Sequence, residues 1–232
     1  KIMMKLNGIS ILESLLKQIS NCTKLDGVIL ATTVNKEDDA IETFANDNSI
    51  DFFRGNSSDV LDRFYQCSKK FSVDNIVRIT SDCPLLDPQL VDKVISLFLT
   101  KKYDYTNNFV ERTFPFGTEV EVFSFDSLEK AWKNAKLISQ REHVTPYIYD
   151  NPTLFSLGYV KHSVDISNLH FAVDRIEDLK FVRMIYQKIK KNPILLNDIL
   201  EILDKNPTLN NINKEIDPRE GYKKSLLNDG EI

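Results

Sequence analysis

Apolar positions along the chain fall into two alternating patterns, one spaced three or four residues apart and one of short continuous runs, and the switching predicts helices and strands in turn. Ser10 followed by Glu13 is a capping-box pattern, and Leu12, Leu15, Leu16 and Ile19 recur at helical spacing, so a helix is expected over about 10–21. Val28 to Thr33 is an apolar, β-branched run that predicts a buried strand, after which Asn35 can cap a helix bearing Ile41, Phe44 and Ala45. The alternation repeats with a strand at Ile50 to Phe53, a Ser58-capped helix bearing Leu61, Phe64 and Tyr65, and a strand at Ile76 to Thr80. Asp87-Pro88 opens a further helix with proline in its first turn.

Strands alternating with helices of this length imply parallel βαβ units, and the expected fold class is α/β, a doubly wound, mostly parallel sheet covered on both faces. Beyond Lys102 the texture changes to short strands at Tyr103 to Thr106 and Thr118 to Phe123, then helices near 126–136 and 139–150, read as a lobe of about 103–150 inserted beside the main sheet. Val120, Val122 and Phe125 alternate with Glu119, Glu121 and Ser124, which predicts a strand with one apolar and one polar face. A strand at His170 to Val173 and an amphipathic helix at Glu177 to Ile189 close the core, giving one domain over 1–205. Residues 206–232, rich in Asn, Lys, Asp and Glu, are expected to form a surface tail or docking arm.

With 232 residues, 42% of them hydrophobic and 28% charged, the chain can bury a substantial core. A net charge of −4 with both signs interspersed argues against a nucleic-acid partner. Cys22, Cys67 and Cys83 are odd in number and lack metal-site spacing, which points to a reducing compartment. No apolar run approaches the ~20 residues that span a bilayer, so a cytoplasmic protein without a membrane partner is expected.

Ligands of open α/β sheets sit at the carboxyl ends of the strands. Asp82 follows the strand ending at Thr80, and Asp174 follows the expected strand 170–173. If they converge, two such carboxylates suit Mg²⁺, which takes one or two carboxylates together with substrate phosphates and waters. The alternative is that Asp82 serves a turn while Asp174 or Asp178 caps the following helix.

Arg78-Ile-Thr-Ser-Asp-Cys-Pro-Leu-Leu-Asp-Pro88 resembles the core motif of the spore-coat polysaccharide biosynthesis protein F group, which is similar to the CMP-sialic acid and CMP-KDO synthetases. The resemblance extends through Asp59 to Arg63, Phe116 to Phe123, Arg141 to Pro146, Ala172 to Arg175 and Glu220 to Tyr222, across most of the chain in order. It implies a fold of nucleotide-diphospho-sugar-transferase type, and attack by an acceptor hydroxyl on the α-phosphate of CTP with release of pyrophosphate. It further implies that Asp82 and Asp174 hold Mg²⁺ as the catalytic centre. Such enzymes carry a first strand and a phosphate loop ending in lysine; this sequence departs from that pattern at its start, where the strand and loop are expected to be missing, Lys1 alone matches the lysine, and a chain beginning there is expected to bind CTP poorly.

The nucleotide-binding candidates are therefore Lys1, Arg63, Arg78 and Ser81, the two guanidinium forks suiting phosphate or base edges. Arg63 could instead pair with Asp59 or Asp62. Asn107, Asn108, Glu119 and Glu121 offer hydroxyl-binding groups for the second substrate, and Arg141 and His143 complete the candidate acceptor site, with Arg141 meeting a carboxylate or phosphate. A plain solvated strand explains the glutamates equally well, and His143 is given no catalytic role. Trp132 is read as core and Cys83 as packing. The acceptor is expected to be an acidic sugar or a phosphorylated polyol for cell-envelope polysaccharide, and the resemblance implies a homodimer. Two alternatives are a glycosyltransferase of similar fold, disfavoured by the lack of Asp-x-Asp, and a non-catalytic substrate-binding module.

Overall fold

The computed structural model describes residues 1–217 and 219–229; Pro218 and residues 230–232 of the tail expected over 206–232 lie outside the described residues. A hairpin of β1 (Lys5–Leu6) and β2 (Ile9–Ser10), turning through Asn7 and Gly8 at positive φ, leads into α1 (Ile11–Ile19). Ser10 Oγ accepts from the Glu13 amide at 3.0 Å as the capping pattern requires, while the Glu13 carboxylate turns to Lys17 instead.

The next crossover runs β3 (Ile29–Thr33), a 3₁₀ turn at Lys36–Asp38, α2 (Asp39–Asp47) and β4 (Asp51–Gly55), and β3 and β4 pair in parallel. The cap expected from Ser58 on α3 (Val60–Lys70) comes from Asp59, whose carboxylate accepts from the Asp62 amide, because Ser58 is held in a turn by Asn56. Then follow β5 (Asn75–Arg78) and α4 (Pro88–Phe98), the latter capped by Asp87 with Pro88 in the first turn.

The strands expected as a separate lobe are woven into the sheet: β7 (Glu121–Ser124) runs antiparallel between β5 and β6 (Tyr105–Asn107), and β8 (Leu157–Tyr159) pairs parallel with β6. Among the described residues β3 and β4 thus form a parallel two-stranded sheet, and β5, β7, β6 and β8, in that order, a four-stranded one in which β7 runs against its neighbours because the chain enters it from a loop and not from a crossover helix.

Glu121, Val122 and Phe123 are all buried, so β7 has no solvated polar face. Val122 packs with α4, α8 (Ile176–Lys188) and α9 (Leu196–Lys205) in one core, and Phe123 and Tyr105 pack with α3 and α5 (Phe125–Asn134) in the other. Helices on both faces realise the α/β layering.

The helix expected over 139–150 is broken into α6 (Ile138–His143) and α7 (Pro146–Tyr149). Between them Val144 adopts φ 73° and the Thr145 amide donates to the His143 carbonyl at 2.9 Å, a strained three-residue turn for a β-branched residue. The stretch 170–173 is not a strand. It exchanges partners, with Phe171 donating to the Phe116 carbonyl and Val173 to the Asp82 carbonyl.

The tail closes with a 3₁₀ turn at Pro207–Asn211 and α10 (Glu220–Leu227), which docks on α6. No helix among the described residues is long and apolar enough to cross a membrane.

Candidate active site

Asp82 and Asp174 converge. The Val173 amide donates to the Asp82 carbonyl at 2.9 Å, tying the turn after β5 to the segment that ends at Asp174. One ammonium, Lys1 Nζ, then lies 2.8 Å from Asp82 Oδ2 and 2.9 Å from Asp174 Oδ1. Burial works against the charge on Lys1, but the Asp82 charge and hydrogen bonds to both carboxylates outweigh it and raise its pKa. For Asp82 burial acts to raise the carboxyl, and the Lys1 charge, its hydrogen bond and one from Thr80 reverse this and hold it below its ordinary value.

Two carboxylates around one cation are a donor set that fits Mg²⁺, which completes its shell with phosphate oxygens and water. No cluster of three or more metal-ligating side chains occurs among the described residues, so any such ion would take most of its ligands from substrate and solvent.

The Asp174 side of the site rests on Asp178, which caps the following helix as the alternative reading offered, and on Asn213 and His170, which spacing alone does not single out. Asp178, fully buried in the first turn of α8, accepts from the Asp174 and Arg175 amides, and Asn213 from the tail donates to its other oxygen at 2.9 Å. His170 lies between the two acids, its Nε2 3.9 Å from Asp174 and its Nδ1 3.6 Å from Asp178. Beside Asp82, Cys83 is buried and burial pushes its thiol well above the usual range, in keeping with packing.

Arg63 lies on α3, beside the carboxyl end of β4, and Arg78 is the last residue of β5. Arg63 pairs with neither Asp59 nor Asp62; its Nη1 donates to the Asn56 carbonyl at 2.7 Å, and burial lowers the pKa of its guanidinium. Arg78 is paired with Glu121 and lies 5.7 Å over the Phe64 ring. The Nε of each arginine is buried without a partner among the described residues. Ser81 is half-buried in the turn just before Asp82.

The expected acceptor residues are mostly consumed by the fold. Glu121 accepts from Arg78, from the Tyr105 hydroxyl at 2.8 Å and from Thr145, so it is a buried charge hub and not a sugar ligand. Asn108 clips its loop by donating to the Thr118 carbonyl and accepting from the Val120 amide. Glu119 holds Arg112 at 2.6 Å and the Gly117 amide at 2.7 Å.

Arg141 has a partner at every guanidinium nitrogen: its Nε lies 3.0 Å from both Asp59 oxygens, its Nη2 meets Asp59 and its Nη1 donates to the Trp132 carbonyl at 2.8 Å. Trp132 itself stacks on Tyr65 at 4.0 Å, the packing role expected of it. His143 meets Ser225 of α10 at 3.0 Å. Of the expected acceptor residues, Asn107 keeps a buried donor, Nδ2, without a partner among the described residues, while its Oδ1 accepts from the Phe109 and Val110 amides.

A family model described as cytidylyltransferase matches residues 1–218. An uncharacterized protein of Methanocaldococcus jannaschii is 43% identical over 222 residues, spanning 93% of this chain and 88% of its own. The spore coat polysaccharide biosynthesis protein SpsF of Bacillus subtilis is 28% identical over 186 residues, 78% of this chain and 76% of its own. Among solved structures, a cytidylyltransferase from Leptospira borgpetersenii superposes with a TM-score of 0.88 at 29% identity, covering 94% of this chain and 92% of the other. The expected fold of nucleotidyltransferase type is therefore the observed one.

Proposed function

The chain belongs to the cytidylyltransferase family, and on that premise we propose that it transfers CMP from CTP to an acidic sugar or phosphorylated polyol, with release of pyrophosphate. The observation that carries this reading is the convergence of Asp82, in the turn after β5, and Asp174, just before α8, on one cation. The likeness to SpsF supports an acceptor destined for polysaccharide.

In the proposed reaction an acceptor hydroxyl oxygen forms a bond to the α-phosphorus of CTP, the bond to the pyrophosphate oxygen breaks, and the hydroxyl proton is lost. Asp82 and Asp174 would hold Mg²⁺, which when bound supplies positive charge to the triphosphate as negative charge shifts onto the leaving group. Lys1, already between the carboxylates, is placed to turn its ammonium to a phosphate oxygen. Arg63 on α3, beside the end of β4, and Arg78, the last residue of β5, each offer a spare Nε–H suited to phosphate or base-edge acceptors. Asn107 offers its spare amide to an acceptor hydroxyl. The protein's part is positioning and charge neutralisation.

Calorimetric titration of the intact gene product, any residues upstream of Lys1 included, with CTP, GTP, UTP and ATP in Mg²⁺ tests the reading. Selective CTP binding supports it and calls for a pyrophosphate-release screen over acidic sugars and phosphorylated polyols. Absence of binding by all four removes the reading, and a clear preference for another base replaces the nucleotide.

A further inference from the structure

With Arg141 committed to Asp59, the acidic group of the proposed acceptor needs another cation. Three arginines lie on the Asp174 side of the centre, two of them packed on one ring. The Arg112 guanidinium is 3.6 Å from the centroid of Phe116, and that of Arg219, at the start of α10, is 5.6 Å from it. Arg175, next in sequence to Asp174, is paired with Glu220 of α10. Arg112 has a buried Nε without a partner, and Arg219 has no carboxylate within salt-bridge distance of its guanidinium among the described residues.

Phe116 is fixed relative to the aspartates. Its amide donates to the Leu169 carbonyl at 3.0 Å, its carbonyl accepts from Phe171 at 2.7 Å, and its ring meets His170 edge-on. Gly117, at φ 85°, locks the loop further, since a Cβ there would lie 2.1 Å from the Ala172 nitrogen. The Phe116 ring is therefore a fixed ledge a few packed residues from Asp174, with Arg112 lying on it and the exposed Arg219 reaching over it from the start of α10. Glu119 balances Arg112 and Glu220 balances Arg175, whereas among the described residues the Arg219 guanidinium feels Asp217 without forming an ion pair.

We infer that Arg112 and Arg219, held on Phe116, form the subsite for the anionic group of the acceptor, a carboxylate or a phosphate. The inference rests on the cytidyl-transfer reading for the identity of that acceptor, but the binding of an anion does not. A guanidinium stacked on an aromatic ring is partly stripped of water and keeps its N–H fork in one plane, which suits planar carboxylates and phosphate faces. Because Arg219 arrives on α10, the C-terminal helix becomes part of the acceptor site.

The test follows the arginine Nε–H signals by NMR while the protein is titrated separately with inorganic phosphate and with acetate, up to tens of millimolar. Arg54, already taken by Glu42 and Asp39, is the internal control. Shifts of the Arg112 and Arg219 signals without a matching Arg54 shift support the subsite. Phosphate alone then indicates a phosphorylated acceptor, and a response to acetate indicates a carboxylate.

Arg219→Ala is expected to weaken that anion binding roughly tenfold or more, with Arg219→Lys intermediate. No selective shift with either anion, or unchanged anion binding in Arg219→Ala, overturns the inference. Calorimetry with Mg²⁺ and CTP separates the two claims. Failure of the wild type to bind CTP counts against the cytidyl-transfer reading and leaves the anion result standing. Equal loss of CTP binding in Arg219→Ala assigns that guanidinium to the nucleotide and overturns the subsite.

Discussion

Val173 donates its amide hydrogen to the carbonyl of Asp82 at 2.9 Å, and this single backbone bond sets the side chains of Asp82 and Asp174 across one ammonium. Two stretches more than eighty residues apart are thereby held as one site, with positions governed by main-chain geometry and not by the titration of either acid.

Asp82→Asn tests the centre. The substitution keeps shape and removes the charge shared with Lys1, and since that ion pair is partly exposed, its loss should cost no more than about 1 kcal/mol of stability. Turnover should fall on the order of a hundredfold or more, since a charge acting at the reacting phosphates is lost. Pyrophosphate release at saturating Mg²⁺, set against a thermal melt, separates the two effects. Near-normal turnover would remove Asp82 from the centre.

Glu121→Gln should be costly in the opposite way. The Glu121 side chain is 2% exposed and balances Arg78 while accepting from Tyr105 and Thr145. Removing one charge of a buried pair strands the other, at about 3–5 kcal/mol. In urea the midpoint should drop with little change in slope. A loss below about 1 kcal/mol would mean that Arg78 finds another partner.

Arg141→Ala should act on the fold. Its guanidinium joins α6 to the cap of α3 through Asp59 and to the end of α5 through the Trp132 carbonyl, with only 13% of the side chain exposed. A loss of roughly 2–4 kcal/mol is expected. At a temperature where the variant is folded, CTP affinity and acceptor KM should stay close to wild type. A selective rise in acceptor KM at unchanged stability would restore Arg141 as the anion receptor.

The fate of Arg141 illustrates what the sequence can and cannot say. The α/β alternation and the cap at Asp87 were legible because periodicity and capping act over short stretches, and the pairing of Asp82 with Asp174 was legible through the resemblance of their motifs, although no strand leads into Asp174. The partner of Arg141 was not legible: Asp59 is 82 residues away, and helix spacing gives no hint of it. Glu121 alternates with apolar neighbours as a solvated residue does, yet β7 is central and covered on both faces, so it is a buried charge with dedicated partners, while half-buried Glu119, just before the strand, is tied to Arg112. The break at Val144 and the ledge at Phe116 depend on tertiary contacts alone.

Gly117→Ala probes that ledge. The added methyl would lie 2.1 Å from the Ala172 nitrogen, and φ 85° is a conformation that alanine resists. The neighbouring atoms are backbone, so they cannot step aside as a flexible side chain would. A destabilisation of roughly 3 kcal/mol or more is expected, together with weaker anion binding at Arg112. A melting temperature equal to wild type would show that residues 115–119 are free to shift away from 171–172.

The docking of α10 should depend on pH through His143. Burial pushes its pKa below the ordinary 6.5, with Glu142 opposing and Arg78 reinforcing the shift. The ring meets Ser225 at 3.0 Å and Tyr222 edge-on, and Ser225 donates onward to Glu142. A histidine whose folded value is depressed takes up its proton more readily when unfolded, so its contribution is complete above about pH 6.5 and is lost as pH falls from there toward the folded value. Wild type should therefore lose melting temperature between pH 7 and pH 5.5 more steeply than His143→Gln, whose side chain can still meet Ser225 but does not titrate. Amide exchange within 220–227 should accelerate over the same interval in wild type only. Parallel pH profiles for the two proteins would assign the acid sensitivity to other groups and leave His143 a neutral hydrogen-bonding residue throughout.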